Sequence, residues 1–183
     1  MMKSAGFNAL RTSHNLPSEA FLEACDRLGM LVIDEAFDGW REAKTPHDYA
    51  SLFDKYWQQD IEGMVLRDLN HPSIIAWSIG NEVIERKKIE VVTTAHQLAS
   101  KIREYDNRPI TSALAAWDSA WEIYDPLAAE LDITGYNYMI HKHEEDHQRV
   151  PDRVMWQTES YAKDTYQHWS VVHDFDYIIG DFI

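Results

Sequence analysis

Short runs rich in β-branched and aromatic residues alternate along this chain with longer stretches of helical period, the pattern of parallel strands joined by crossover helices. Seven strands are expected, over residues 7–11, 30–34, 73–79, 109–114, 131–136, 153–158 and 177–182. The first helix opens at Pro17 and Ser18, repeats apolar residues at Phe21, Leu22, Cys25 and Leu28, and meets Gly29 where a left-handed cap belongs. A second runs over 47–69, with Phe53, Tyr56, Trp57, Ile61, Met64 and Val65 three or four apart. It stops at Asn70, His71 and Pro72, because proline disfavours helix in the residue before it. A third carries Val91, Val92, Ala95, Leu98 and Ile102 on one face. Weaker helical patterns lie over 119–130 and 163–173, and the polar stretch 141–151 reads as a charged surface loop.

Composition narrows the function classes. The 183 residues fit one domain, and with 45% of them hydrophobic there is enough material for a packed core, which excludes disorder. Thirty-one acidic residues against 17 basic ones leave a formal charge of −14, which repels a phosphate backbone or an anionic bilayer, so neither nucleic acid nor membrane is expected as a partner. No apolar run approaches the roughly 20 residues that span a bilayer. The single cysteine, Cys25, forms no internal disulfide, and the opening MMKSAGFNAL lacks the apolar core of a signal peptide. The compartment, cytoplasmic or periplasmic, is left open.

A parallel α/β chain folds as an open doubly wound sheet or as a closed barrel. No glycine-rich phosphate loop is present, and chemistry-bearing residues follow several different strands: 11–15, 34–40, 81–82, 136–138 and 159–161. That distribution favours the barrel, whose site is assembled at the carboxyl ends of many strands. A complete barrel takes about 250 residues. The expectation is therefore an incomplete (β/α)8 TIM barrel of about seven strands, with residues 1–183 forming part of a catalytic domain.

The strongest local pattern is NHPSIIAWSIGNE at 70–82, where an apolar strand ends in Gly80, Asn81 and Glu82. There glycine admits a close ligand, the amide grips a hydroxyl and the acid exchanges a proton; the plainer alternative is a helix start with Asn81 or Glu82 as cap. Glu159 follows another strand in WQTES, and its plainer reading is the same. Two carboxylates on one barrel rim suit glycosidic bond cleavage, one attacking the anomeric carbon and the other protonating the leaving oxygen. In RTSHN, Arg11 could orient a carboxylate through a two-pronged bond and His14 could hold a hydroxyl, or they are a salt bridge and a helix cap. Asp34 and Glu35 end the second strand in VIDEAFDGW, where acids bind hydroxyls, Arg11 or a metal, or simply bridge strands. Phe37 and Trp40 there are core more often than sugar platform. In GYNY, Tyr136 and Tyr138 share one side of a strand, and such a hydroxyl could donate to the attacking carboxylate, or the pair packs at the rim. His141, His143 and His147 raise a metal site, but Lys142, Glu144, Glu145 and Asp146 around them favour a solvated loop.

Taken together and in order, RTSHN, VIDEAFDGW, NHPSIIAWSIGNE, GYNYM and WQTES resemble the catalytic barrel of glycoside hydrolase family 2, which contains β-galactosidases, β-glucuronidases and β-mannosidases. The resemblance implies that Glu82 is the acid/base and Glu159 the nucleophile, and that Arg11, His14, Asn81 and Tyr138 belong to the sugar subsite. Asp34 and Trp156 are expected as further substrate contacts. It implies retaining hydrolysis of terminal β-glycosides, with β-galactosides nearest in wording, and neither a cofactor nor a metal. It also implies that the first barrel strand, the last helix and the amino-terminal β-sandwich domains lie outside these residues. The partners expected are then a β-glycoside, those remaining domains, and a second copy in a homo-oligomer. Two rivals remain: a metal-dependent barrel hydrolase, which a chelator would silence, and a carbohydrate-binding fragment that binds without turnover.

Overall fold

The computed structural model describes residues 1–116 and 120–183. Its seven strands are β1 (Ala9–Arg11), β2 (Leu31–Glu35), β3 (Ile74–Asn81), β4 (Ile110–Leu114), β5 (Ile133–Asn137), β6 (Met155–Glu159) and β7 (Ile178–Asp181). They form one parallel sheet in strict sequence order, each strand beside the next. That order and the right-handed twist of parallel strands curl the sheet into a partial barrel. All seven strands fall where the apolar runs placed them.

The helices are α1 (Glu19–Leu28), α2 (Ala50–Asp68), α3 (Glu90–Arg103), α4 (Asp125–Ala128), α5 (His143–Arg149) and α6 (Thr165–Asp174). In α1 the Ser18 hydroxyl accepts from the Phe21 amide, and Gly29 closes the other end at φ 64°, as the sequence reading required. The helix expected over 119–130 is present only as α4 and the 3-10 turn before it; position 119 lies outside the described residues.

The expectation for 141–151 is overturned, because α5 occupies it with His143 and Asp146 buried. Asp146 accepts hydrogen bonds from Trp121 Nε1 at 2.5 Å, from Arg153 at 2.7 Å, and from Tyr136 and Arg149. These partners neutralise a charge that would otherwise be too costly to bury, so an acidic stretch becomes a helix docked on the barrel.

Alternation along the strands divides the apolar residues between two compartments. Val32, Trp77, Ile79, Ile110, Leu114, Tyr136 and Met155 pack outward against Leu22, Phe53, Ile61, Met64, Leu98 and Ile102 of the helices. Ile33, Ala76, Ile133 and Trp156 form a separate cluster within the curl, with Phe182 against it. Gly135 is required by this packing: a Cβ there would stand 2.5 Å from the Ser112 carbonyl and 2.8 Å from Thr158. Among the described residues, no helix is long and apolar enough to cross a membrane.

Candidate active site

The polar floor sits directly above that inner cluster, at the carboxyl ends of the strands. Arg11, at the end of β1, organises it. Its Nε and Nη2 form a fork on Glu35, each at 2.9 Å; Nη1 donates to Glu159 Oε1 at 2.9 Å and to the Thr158 carbonyl at 3.1 Å; Nη2 also reaches Asn81 Oδ1 at 2.9 Å. One guanidinium therefore joins β1, β2, β3 and β6, a task its five rigid donors suit and an ammonium does not. Glu35 is wholly buried and accepts further bonds from Ser78 Oγ at 2.6 Å and from His14 Nδ1 at 2.9 Å.

Asn81 Oδ1 accepts a second bond, from Asn137 Nδ2 at 3.0 Å, which fixes the orientation of its amide. The same Asn137 Nδ2 donates to Glu82 Oε1 at 3.0 Å, while Asn137 Oδ1 accepts from Thr158 Oγ1 at 2.6 Å. The Tyr138 hydroxyl donates to Glu159 Oε2 at 2.8 Å, and His14 Nε2 stands 3.6 Å from Glu159 Oε1. Burial first, then the bond to Glu159 and the nearby charges of Glu159 and Glu82, push the Tyr138 phenol up to about 12. Glu82 and Glu159, at the ends of strands far apart in sequence, are thus joined through Asn137, Asn81 and Arg11.

The backbone is irregular where these side chains are aimed. The ladder shifts register between Ser78 and Asn81 and again between Tyr136 and Asn137, and such irregularities turn side chains away from simple alternation. Glu82 at φ 39° and Tyr138 at φ 59° lie in the left-handed region, which costs a non-glycine residue on the order of 1 kcal/mol. Both follow strands whose last residue, Asn81 or Asn137, points into the same network.

Arg11, His14, Asn81, Glu82, Tyr138 and Glu159 are accordingly brought together. Asp34 and Trp156 are not. Asp34 is fully buried on the helix side of β2, against Thr12 and Asp68 of α2; burial and the Asp68 carboxyl raise its pKa to about 8. Period two sends adjacent residues to opposite faces, so Glu35 rather than Asp34 enters the site. Trp156 lies in the apolar cluster beneath the floor, its indole N–H donating to Thr111 Oγ1 at 3.0 Å. The space over Gly80 is filled by the Trp40 ring, not left for a ligand, and both Trp40 and Phe37 are core. Sequence reasoning passed over Asn137, Thr158 and Ser78 because neutral polar residues inside strands carry no pattern of their own. The β1 and β7 edges flank a cavity of about 320 Å³ whose lining includes Arg11, His14, Tyr138 and Glu159.

The histidines of 141–147 do not converge on a point. His143 Nδ1 lies 3.0 Å from the Tyr177 hydroxyl and His147 stacks on the Tyr177 ring at 3.7 Å, while His141 is exposed. Among the described residues, no group of three or more histidine, cysteine, aspartate or glutamate side chains could hold a metal ion.

The sequence model for the TIM barrel domain of glycosyl hydrolases family 2 matches residues 1–170. The chain belongs to that family. It is 35% identical to the beta-galactosidase BoGH2A of Bacteroides ovatus over 82% of its own length, which corresponds to 21% of that relative. A crystal structure of a family 2 member from Bacteroides cellulosilyticus superposes on the entire chain with a TM-score of 0.95 and 49% identity, the match covering 23% of that protein. A beta-glycosidase from Bacteroides vulgatus superposes on 99% of the chain at a TM-score of 0.81 and 27% identity, covering 30% of its own. The chain therefore spans between about a fifth and a third of these longer family 2 proteins.

Proposed function

We propose that this chain is the catalytic barrel segment of a retaining β-glycosidase, with Glu159 as nucleophile and Glu82 as acid/base. The observation that carries the reading is the single network in which Arg11, Asn81 and Asn137 connect the two carboxylates. The carboxylates differ in their surroundings, and the difference supports the division of roles. Both Glu159 oxygens accept bonds, from Arg11 and Tyr138, which fixes the plane of an attacking group. Glu82 Oε1 accepts from the neutral amide of Asn137, an arrangement compatible with carrying and releasing a proton at the other oxygen.

In the first step Glu159 attacks the anomeric carbon as Glu82 protonates the departing oxygen. In the second, Glu82 takes a proton from water, which displaces Glu159 and releases the sugar with its configuration retained. β-Galactosides are the substrates we assign first, followed by other neutral β-hexosides. The segments that complete the barrel belong, in this reading, to the rest of a longer parent chain.

The test is Glu159→Gly in the complete enzyme, assayed on chromogenic β-galactoside, β-glucuronide and β-mannoside. Turnover should be lost on whichever sugar the parent hydrolyses, and azide should restore it with a product of opposite anomeric configuration. Unchanged turnover would remove Glu159 from the role.

A further inference from the structure

The segment between β2 and α2 leaves the carboxyl end of β2, reaches Asn81 through Asp38 and Lys44, and is pinned on either side of Asp38. Phe37 and Trp40 are buried, and the Trp40 indole donates to the Ile79 carbonyl at 2.8 Å. Asp38 is thereby held beside Asn81 with its side chain 49% exposed. Its Oδ1 accepts from Lys44 Nζ at 2.6 Å and from Asn81 Nδ2 at 3.0 Å, and Lys44 Nζ donates also to the Asn81 carbonyl at 2.9 Å. Partial burial works against the charge of Asp38. The hydrogen bonds from Lys44 and Asn81, with the nearby Lys44 and His14, outweigh it and keep the carboxyl below its usual range. The lysine that could attract an anion is thus already taken by an aspartate fixed beside Asn81.

The polar network then sets two fixed cations, Arg11 and Lys44, and the His14 imidazole against four carboxyl groups, Glu35, Asp38, Glu82 and Glu159. A neutral sugar hydroxyl can donate to a fixed carboxylate, whereas a sugar carboxylate can only be repelled by it. We propose that Asp38, clamped by Lys44, determines specificity by accepting a hydroxyl of a neutral hexose and excluding hexuronides from the site. The proposal rests on the glycosidase reading above and gives it a substrate class.

The test compares kcat/KM for a matched pair, a p-nitrophenyl β-hexoside and the β-hexuronide of the same stereochemistry, on the complete enzyme. The parent should prefer the hexoside. Asp38→Asn should lower the hexoside-to-hexuronide ratio by about tenfold or more, because it removes the repelling charge and frees the Lys44 ammonium. Asp38→Glu should keep the parental preference, and adding Lys44→Met to Asp38→Asn should erase the gain on the hexuronide. A ratio unchanged by Asp38→Asn, or a parent that prefers the hexuronide, overturns the selectivity while leaving the glycosidase reading intact. A parent that hydrolyses neither glycoside overturns both. Should Asp38→Asn fail to fold, inhibition of the parent decides the matter: the free neutral hexose should bind more tightly than its uronic acid, with a gap that narrows as salt is added. Equal affinity at every ionic strength rejects the proposal.

Discussion

The Tyr138 hydroxyl makes a contact whose loss can be measured cleanly, because it touches the proposed nucleophile and its ring is held independently. The ring packs on Tyr161 at a centroid separation of 4.6 Å, so Tyr138→Phe keeps the packing and deletes only the donor to Glu159 Oε2. A hydrogen bond to a charged group contributes about 1.5–3 kcal/mol. Tyr138→Phe should accordingly lower kcat by roughly 10–100-fold with little change in melting temperature. Glu159 would still be held by Arg11, so activity should fall rather than vanish. A loss confined to KM would instead assign Tyr138 to substrate binding alone. The same residue marks one limit of sequence reading. Its place after a strand suggests a tyrosine hydroxyl serving a carboxylate, but its left-handed backbone, which turns it away from buried Tyr136 rather than to the same side, depends on a register shift that no local pattern announces.

At the level of elements, β2 and α2 meet through a buried acid pair that makes stability depend on pH. Asp34 faces Asp68, and Asp68 is in turn gripped by Arg67 through Nε and Nη2, both at 2.6 Å. With a native pKa raised from 3.8 to about 8, Asp34 keeps a proton that the unfolded chain has already shed between those values. Its contribution to stability is therefore complete below about pH 4, declines as pH rises and is lost above about pH 8. Asp34→Asn cannot ionise. Its advantage over the parent should be small near pH 4 and grow toward pH 9 to several kcal/mol, read by denaturant melts at each pH. A pH-independent difference would show that Asp34 does not titrate in that window. Elements themselves were legible because each strand is an apolar run and each main helix shows its own period. What each polar residue faces was less so. Asp34 and Glu35 are chemically alike and adjacent, and only Asp68 on one side and Arg11 on the other decide which of them enters the site. In the same way α5 hides among acids because the partners of Asp146 come from four places in the chain.

Across the whole molecule, the site spans the sheet from edge to interior, and that arrangement sets where it should be weakest. β1 is three residues long with every residue only partly buried, and β7 has one buried residue of four, whereas β4 and β5 are buried throughout. Arg11 and His14 hang on the β1 edge, while Asn137 and Glu82 rise from the middle of the sheet. Strand edges open locally at lower cost than central strands because fewer neighbours must be broken. Amide exchange on this chain should therefore be fastest in β1 and β7 and slowest in β4 and β5, with the Arg11 bonds to Glu35, Asn81 and β6 adding to the β1–β2 ladder as restraints on β1. Glycoside turnover by residues 1–183 alone should then be far below that of the proposed longer parent chain even where circular dichroism shows the same secondary structure. Adding sequence that covers the β1 edge should raise β1 protection and turnover together. Slow exchange in β1 with no activity would separate the two, and would place the missing requirement in substrate-binding segments rather than in the order of the Arg11 network.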